Sequence, residues 1–283
     1  MDTLGKLDTA YSYNTLCNTN GIALCSSRSE SFCVGEVTAY ASKATGMQIQ
    51  VERIDLRFPL NLLVRGVEVI QQPDTLLSLE SLNVRVQAWP LIKGKVEVDE
   101  VTLSRVAVNS ADLMEGMKIK GVLGRFFLQS HGVDLSNELA VINQVELSDT
   151  HMQLLMNDTT TTPKDTTASA PINWKVALHQ LKLKNVSFSM QLPADSMRMT
   201  AHIGEAAIND AQADLKESIL RLEEVLIIGN SASYDTGTAQ PTEGFDASHI
   251  AVRDIRIALD SLLYKGRDMN AVIREFTMNE RSG

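Results

Sequence analysis

The feature that most constrains this chain is a beat in its apolar residues: two at alternate positions, a skip of three, then two more. The clearest run passes through Val96, Val98, Val101, Leu103, Val106 and Val108, with Glu97, Asp99, Glu100, Thr102, Ser104 and Arg105 between them. Alternation gives a strand one apolar and one polar face, because successive side chains point to opposite sides. A skip of three would turn the apolar residues to the other face, so each skip predicts a bulge or short bend that restores the facing. The beat returns at Leu178, Leu181, Leu183, Val186, Phe188, Met190 and Leu192, and again at Leu220, Leu222, Val225 and Ile227. A further copy runs through Ile250, Val252, Ile255, Ile257 and Leu259. A chain that keeps making one-sided strands builds a long apolar surface rather than a catalytic pocket.

The length of 283 residues suits one large domain or two ordinary ones. A net charge of −9, with acidic and basic residues interspersed along the strands, argues against nucleic acid as a partner. Aromatic residues make up only 5% of the chain, too few for base-stacking platforms. No stretch approaches the roughly 18 apolar residues of a spanning helix, and the N-terminus carries no apolar signal-peptide core.

The three cysteines, Cys17, Cys25 and Cys33, all fall in the first 33 residues, at spacings that match no zinc or redox signature. That segment also lacks valine, which is abundant directly afterwards. The composition shift marks residues 1–33 as a non-native or disordered segment.

From Val34 the text changes. Val34, Val37, Tyr40, Ala41 and Ala44 recur at helical spacing and Gly46 is a natural stop, which predicts a short helix over 34–46. Strand text follows through Met47, Ile49, Val51, Ile54, Leu56 and Phe58 to Pro59, then through Leu62, Val64, Val67 and Val69. Gln72-Pro73-Asp74 predicts a turn, and Leu77, Leu79, Leu82, Val84 and Val86 the next strand. Trp89-Pro90-Leu91 with Gly94 connects it to the run at Val96.

The stretch 119–128 reads two ways. Ile119, Val122, Leu123, Phe126 and Phe127, flanked by Lys118, Lys120 and Arg125, fit a basic amphipathic helix on a membrane surface. Gly121 and Gly124 weaken any helix by about 1 kcal/mol each, and a strand is the preferred reading. Residues 158–171, rich in threonine and proline, form a linker between two strand-bearing segments, 47–157 and 172–283. A second loop spans Ser233–Ser248, and the last strands cover about 249–259 and 269–279.

Catalytic, metal-binding and cofactor-binding constellations are not found. The five histidines, His131, His151, His179, His202 and His249, are scattered, with no carboxylate at ligand offsets, and solvent-facing strand positions account for them. There is no GxSxG, no P-loop and no GxGxxG after a strand. Asp99 and Glu100 are adjacent, but neighbours on a strand point to opposite faces, which argues against an acid–base pair. Asn157-Asp158-Thr159 and Asn185-Val186-Ser187 fit the glycosylation sequon, a motif short enough to arise by chance.

The run Leu181-Lys182-Leu183-Lys184-Asn185-Val186-Ser187-Phe188-Ser189-Met190 resembles the repeat of AsmA/TamB-type envelope proteins: an alternating strand, an Asn or Asp at the bend, another alternating strand. Val34–Gly46 followed by Met47–Ile54 resembles the segment just after the membrane anchor of the TamB branch. Asp158–Pro171 before Trp174-Lys175-Val176 resembles a threonine- and proline-rich insertion there, and Gly244–Ile250 with Glu280–Gly283 its next repeat. The resemblance covers about 34–283. It implies a mostly β fold, an elongated curved sheet of the β-taco or repeating β-groove kind with a short N-terminal helix. It also implies a periplasmic protein anchored in the inner membrane. The anchor is expected directly before Val34, where Met1–Cys33 stands, and a C-terminal region that meets a BamA/TamA-like outer-membrane β-barrel is expected beyond Gly283. On that basis the sequence reads as an N-terminal fragment.

One-sided strands need their apolar face covered. About a dozen strands at ~4.8 Å spacing make a sheet roughly 60 Å across, which ordinarily curls or splits. A U-shaped trough, apolar inside, accommodates the curl and takes phospholipid acyl chains as its partner, with no cofactor and no chemical step. The candidate lining residues are Val96, Val98, Val101, Leu103, Val106, Val108, Leu181, Leu183, Val186 and Phe188. The alternative is a scaffold that offers a sheet edge to outer-membrane β-barrel proteins during insertion. An ordinary closed β-sandwich with a binding role is the third expectation.

Overall fold

Alternating text folds as strands almost throughout. A computed structural model describes residues 38–39, 42–43, 45–57, 60–87, 97–111, 116–134, 138–156, 173–237 and 246–280. The strands are β1 (Gln48–Arg57), β2 (Asn61–Gln71), β3 (Asp74–Val86), β4 (Val98–Asn109), β5 (Met117–Asp134) and β6 (Leu139–Met156), then β7 (Lys175–Leu192), β8 (Met197–Asp214), β9 (Ile219–Asp235), β10 (His249–Lys265) and β11 (Asp268–Glu280). They form one open, curved sheet in sequence order. Before β1, Thr38, Ala39, Ser42, Lys43 and Thr45 are helical, and Gly46, at φ +71°, closes the helix with its N–H on the Ser42 carbonyl at 2.9 Å.

Every neighbouring pair is antiparallel except β6 and β7, which run parallel, Leu139 beside Lys175 and Leu155 beside Gln191. Parallel neighbours cannot share a tight turn, and here the two strands start at the same end of the sheet. This pairing joins the two strand-bearing segments into a single sheet. Among the described elements, appreciable contacts are made only between sheet neighbours. No second layer faces the sheet, which removes the closed-sandwich expectation for these residues.

The skips of three become kinks. Inside otherwise regular strands, Gly66, Arg105, Asp149, Asn185, Gly229 and Asp254 take positive φ, between +46° and +68°. Asn, Asp and Gly tolerate this left-handed region best, and one such residue restores the facing that the odd spacing would lose. The kinks align across the sheet. Register places Glu52 opposite Gly66, Gly66 opposite Glu80, and Glu80 opposite Arg105, with which it is ion-paired. Arg105 faces Gly124, which faces Asp149, which lies beside Asn185, which faces Gly204. The glycines are needed there: a Cβ on Gly124 would stand 2.9 Å from the Asp149 carbonyl oxygen, and one on Gly204 would stand 2.6 Å from that of Gly229. At this crossing Asn230 replaces the lost ladder bonds, accepting from the Gly204 N–H at 3.1 Å and donating to the Ile255 carbonyl at 3.3 Å.

A second line of irregularity runs alongside. It holds the bulge at Asp99, the residues Asn143 and His179, the left-handed Asp210 and Glu224, and the bulge at Asp260. Two transverse fold lines thus divide the sheet into a central floor and two flanking walls.

The 119–128 stretch is strand, within β5, in agreement with the preferred reading of its glycines. Two boundaries differ from the sequence reading. β10 continues to Lys265 and meets β11 through Gly266-Arg267, because Leu262 and Tyr264 resume the alternation after the Asp260 bulge. Ser233–Asp235 belong to β9 rather than to a loop. Residues 1–33 with their cysteines, the linker 158–171, Phe58-Pro59, Trp89–Gly94 and Val96 lie outside the described residues.

Candidate functional site

The candidate site is the apolar face, and register shows how it is built. One ladder runs through Ile54, Val64, Leu82, Leu103, Phe126 and Leu147, then Leu183, Ala206, Ile227, Ile257 and Phe276. Its neighbour runs through Leu56, Leu62, Val84, Val101, Leu128 and Val145, then Leu181, Ile208, Val225, Leu259 and Ile273. Each ladder takes one residue from each of the eleven strands, and every residue is apolar. Both lie between the fold lines and form the floor. Cross-strand apolar pairs of this kind contribute roughly 0.2–1 kcal/mol each.

Ten inter-strand steps of about 4.8 Å make the floor roughly 48 Å long, measured across the strands. One acyl chain spans half a bilayer core of about 30 Å, so the floor is about three chains long. The walls continue the apolar face: Val106 pairs with Leu79 and Leu123, and Val186 with Thr150 and Ile203. Thr150, buried in that wall, satisfies its hydroxyl on the Ser148 carbonyl at 3.2 Å.

Of the predicted lining residues, Val101, Leu103, Leu181 and Leu183 are on the floor. Val106, Val108, Val186 and Phe188 are on one wall, and Val98, paired with Val86, is on the other. They share one face, but most are only half-buried, and Phe188 is exposed. Among the described residues the apolar side chains that are truly buried are few: Leu76, Ala140, Ala206, Val225, Ala258 and Leu259. A face made of two unbroken apolar ladders therefore meets solvent.

The opposite face is mixed, with Leu63, Phe127 and Leu226 among polar residues that pair with one another. Arg85 holds Glu100 at 2.5 Å, Lys182 approaches Glu146 at 3.8 Å, and Asn185 donates to Asp149 at 2.8 Å from within its kink. Asp99 and Glu100 do not point to opposite faces, as simple alternation predicted. The bulge that keeps Val98 and Val101 on one side sends both carboxylates to the other, where Gln87 takes Asp99 and Arg85 takes Glu100. Each carboxylate has its own partner.

The histidines lie apart from one another. His179 meets Asp210 at 3.0 Å and His202 meets the Ser187 hydroxyl at 3.0 Å, while His249 sits between Asp246 at 3.1 Å and Asp235 at 3.4 Å. Among the described residues no group of three or more His, Cys, Asp or Glu side chains could hold a metal ion. At the β8–β9 turn the Glu217 backbone N–H, assisted by Lys175, holds the Asp214 carboxyl below its ordinary value.

The periodicity did not reveal that methionines gather on the apolar face. Met152, Met156, Met190, Met197 and Met199 fall at alternate positions near one end of β6, β7 and β8. Their i, i+2 and i, i+4 spacings were the available signal. No protein-family model matches the chain, and no curated protein matches it. No helix among the described residues is long and apolar enough to cross a membrane.

Proposed function

We propose that this chain is a groove-type conduit for phospholipid acyl chains, serving cell-envelope biogenesis between inner and outer membranes in the manner of the AsmA/TamB-type proteins its repeat resembles. One observation carries the reading: two apolar ladders cross all eleven strands without a polar interruption, on a face that no second layer of described elements covers. Each methylene that leaves water for such a surface contributes about 0.8 kcal/mol. The floor offers no hydrogen-bonding side chain to arrest a linear apolar ligand, so neighbouring positions along it are nearly equivalent. Passage along it needs no chemical step and no cofactor. The corresponding placement is the periplasm, with an inner-membrane anchor and a BamA/TamA-like partner, as the resemblance implies.

The test is a pair of benzophenone substitutions in cells, one at Val101 and one at Thr102. Val101 is on the floor between Val84 and Leu128; Thr102, between Asn83 and Phe127, is on the reverse. Phospholipid adducts at Val101 and none at Thr102 are expected. Lipid at neither position, with protein adducts at Thr102, would sink the conduit.

One observation favours the second reading, an assembly scaffold for outer-membrane β-barrel proteins. β11 is an open edge whose side chains are nearly all exposed, and unpaired backbone on such an edge invites strand addition.

A further inference from the structure

Among the described strands β11 has a neighbour on one side only, and a bulge makes its free side self-complementary. Met269, Ala271, Ile273 and Phe276 turn to the apolar face, opposite Tyr264, Leu262, Leu259 and Ile257 of β10. Asn270, Val272, Glu275 and Thr277 alternate with them on the reverse. Between Ile273 and Glu275 the ladder slips by one residue, and Arg274 is the extra one, its guanidinium on Asp260 at 3.4 Å. Arg274 and Glu275 thus stand together between two residues of the floor.

The facing of β11 is thereby a palindrome about the Arg274–Glu275 junction. Outward from it, apolar positions fall at Ile273 and Ala271 in one direction and at Phe276 and Met278 in the other. A second copy laid antiparallel, with a two-fold axis through that junction and normal to the sheet, meets each position with one of like facing. Ile273 comes opposite the partner's Phe276, Ala271 opposite the partner's Met278, and Val272 opposite the partner's Thr277. A shift of one residue sets Ile273 against the partner's Glu275 and Arg274 against the partner's Arg274. Like charges directly opposite one another destabilise a pairing, and opposite charges support it. The matched register sets Arg274 beside the partner's Glu275, twice by symmetry. Both side chains already hold partners on β10, Asp260 at 3.4 Å and Arg256 at 2.8 Å, so their charges select the register. The affinity comes from the unpaired backbone and from Ile273, Phe276 and Met278, all exposed.

We propose that β11 is the interface of a two-fold homodimer that joins two sheets edge to edge. Both apolar faces then lie on the same side. Phe276 ends one floor ladder and Ile273 the other, so each ladder crosses the axis onto the opposite ladder of the second copy. Eleven strands from each copy make one floor of twenty-one inter-strand steps, roughly 100 Å long. Assembly stops at two copies because the other edge, β1, is charged and its Ile49 N–H is taken by the Ser42 hydroxyl at 2.9 Å. The proposal concerns the edge and does not depend on what the floor carries.

Sedimentation velocity of the whole chain over a concentration series tests it. Association is expected to end at a dimer by about 100 µM, as for a small interface. Arg274→Glu alone is expected to weaken the dimer about tenfold, and adding Glu275→Arg to restore it. Benzophenone in place of Phe276 is expected to link two copies. Tryptic digestion of the linked dimer should then join the peptide 275–281 to the peptide 268–274, which holds Ile273. A monomer at every concentration overturns the proposal, and so does growth beyond two copies. A dimer indifferent to Arg274→Glu places the contact elsewhere, and a loss that the charge exchange does not restore overturns the register. In cells, adducts from position 276 to another protein, with none to a second copy, would assign the edge to a foreign strand and overturn the homodimer.

Discussion

β1 and β11 are both edges of one sheet, and they are built differently. β1 mixes its apolar residues with Gln48, Gln50, Glu52, Arg53, Asp55 and Arg57. Asp55 is buried and held by Arg53 at 2.7 Å, and the Ile49 N–H donates to the Ser42 hydroxyl of the preceding helical segment at 2.9 Å. Charge on the strand and a covering segment are two of the usual ways to blunt an edge. β11 also carries charge, at Asp268, Arg274, Glu275 and Glu280, but no described segment covers it: of its thirteen residues only Glu275 is not exposed. The floor ladders run out into solvent there, with Ile273 at 60% exposure and Phe276 at 54%. One strand inward, Leu259 is paired with Ile273 yet only 9% exposed, and Val225 beyond it 3%. In a single-layer sheet the strands on the two flanks of a side chain supply cover that an edge side chain lacks.

The largest expected effect breaks that ladder in two places. Leu259→Ala should cost about 2 kcal/mol of unfolding free energy, at the lower end for a core leucine because no second layer covers it. Ile273→Ala should cost less than about 0.5 kcal/mol, as for an exposed site. Urea denaturation measures both, and equal losses would refute burial by flanking strands alone.

A smaller contrast concerns the transverse kink. Asn230→Ala removes two bonds to backbone groups, from a buried side chain, and should cost about 1–2 kcal/mol. Asn279→Ala at the edge removes one exposed bond to Asp254, of 2.9 Å, and should cost about 0.5 kcal/mol or less. The same denaturation series ranks the two, and the reverse order would show that Asn230 does not replace missing ladder bonds.

The smallest effect on stability is expected when β11 is made to resemble β1. The double substitution Ile273→Lys and Phe276→Lys leaves stability within about 1 kcal/mol, since both side chains are already exposed. Its effect is on association. Light scattering should show less self-association than the parent chain, while Leu56→Lys on β1 should leave association unchanged. If the two edges respond alike, their difference in composition has no consequence.

The alternation in 96–108, 178–192, 220–227 and 250–259 was enough to read strands. Each odd skip was enough to predict a bend or bulge; the structure puts positive φ at Arg105, Asn185, Glu224 and Asp254, inside four of those skips. The facing of Val101, Leu103, Leu181 and Leu183 followed from the same text. These are local properties: side-chain period and left-handed tolerance are set within a few residues. The shared facing of Asp99 and Glu100 was not legible, because alternation alone cannot say which residue a bulge leaves unpaired. The gathering of methionines on the apolar face was not legible either, since Met117, Met156 and Met199 are brought together by register across three strand pairs.

By itself, then, the sequence determined a one-sided β chain with a bend or bulge at each odd skip. The tertiary structure alone decided that β6 and β7 run parallel, that the bends fall into two lines across the sheet, and that no second layer of described strands covers the apolar face. Strand order, register and cover depend on contacts between residues far apart in the chain, and the energy separating one register from another lies in the whole set of cross-strand pairs, not in any single strand.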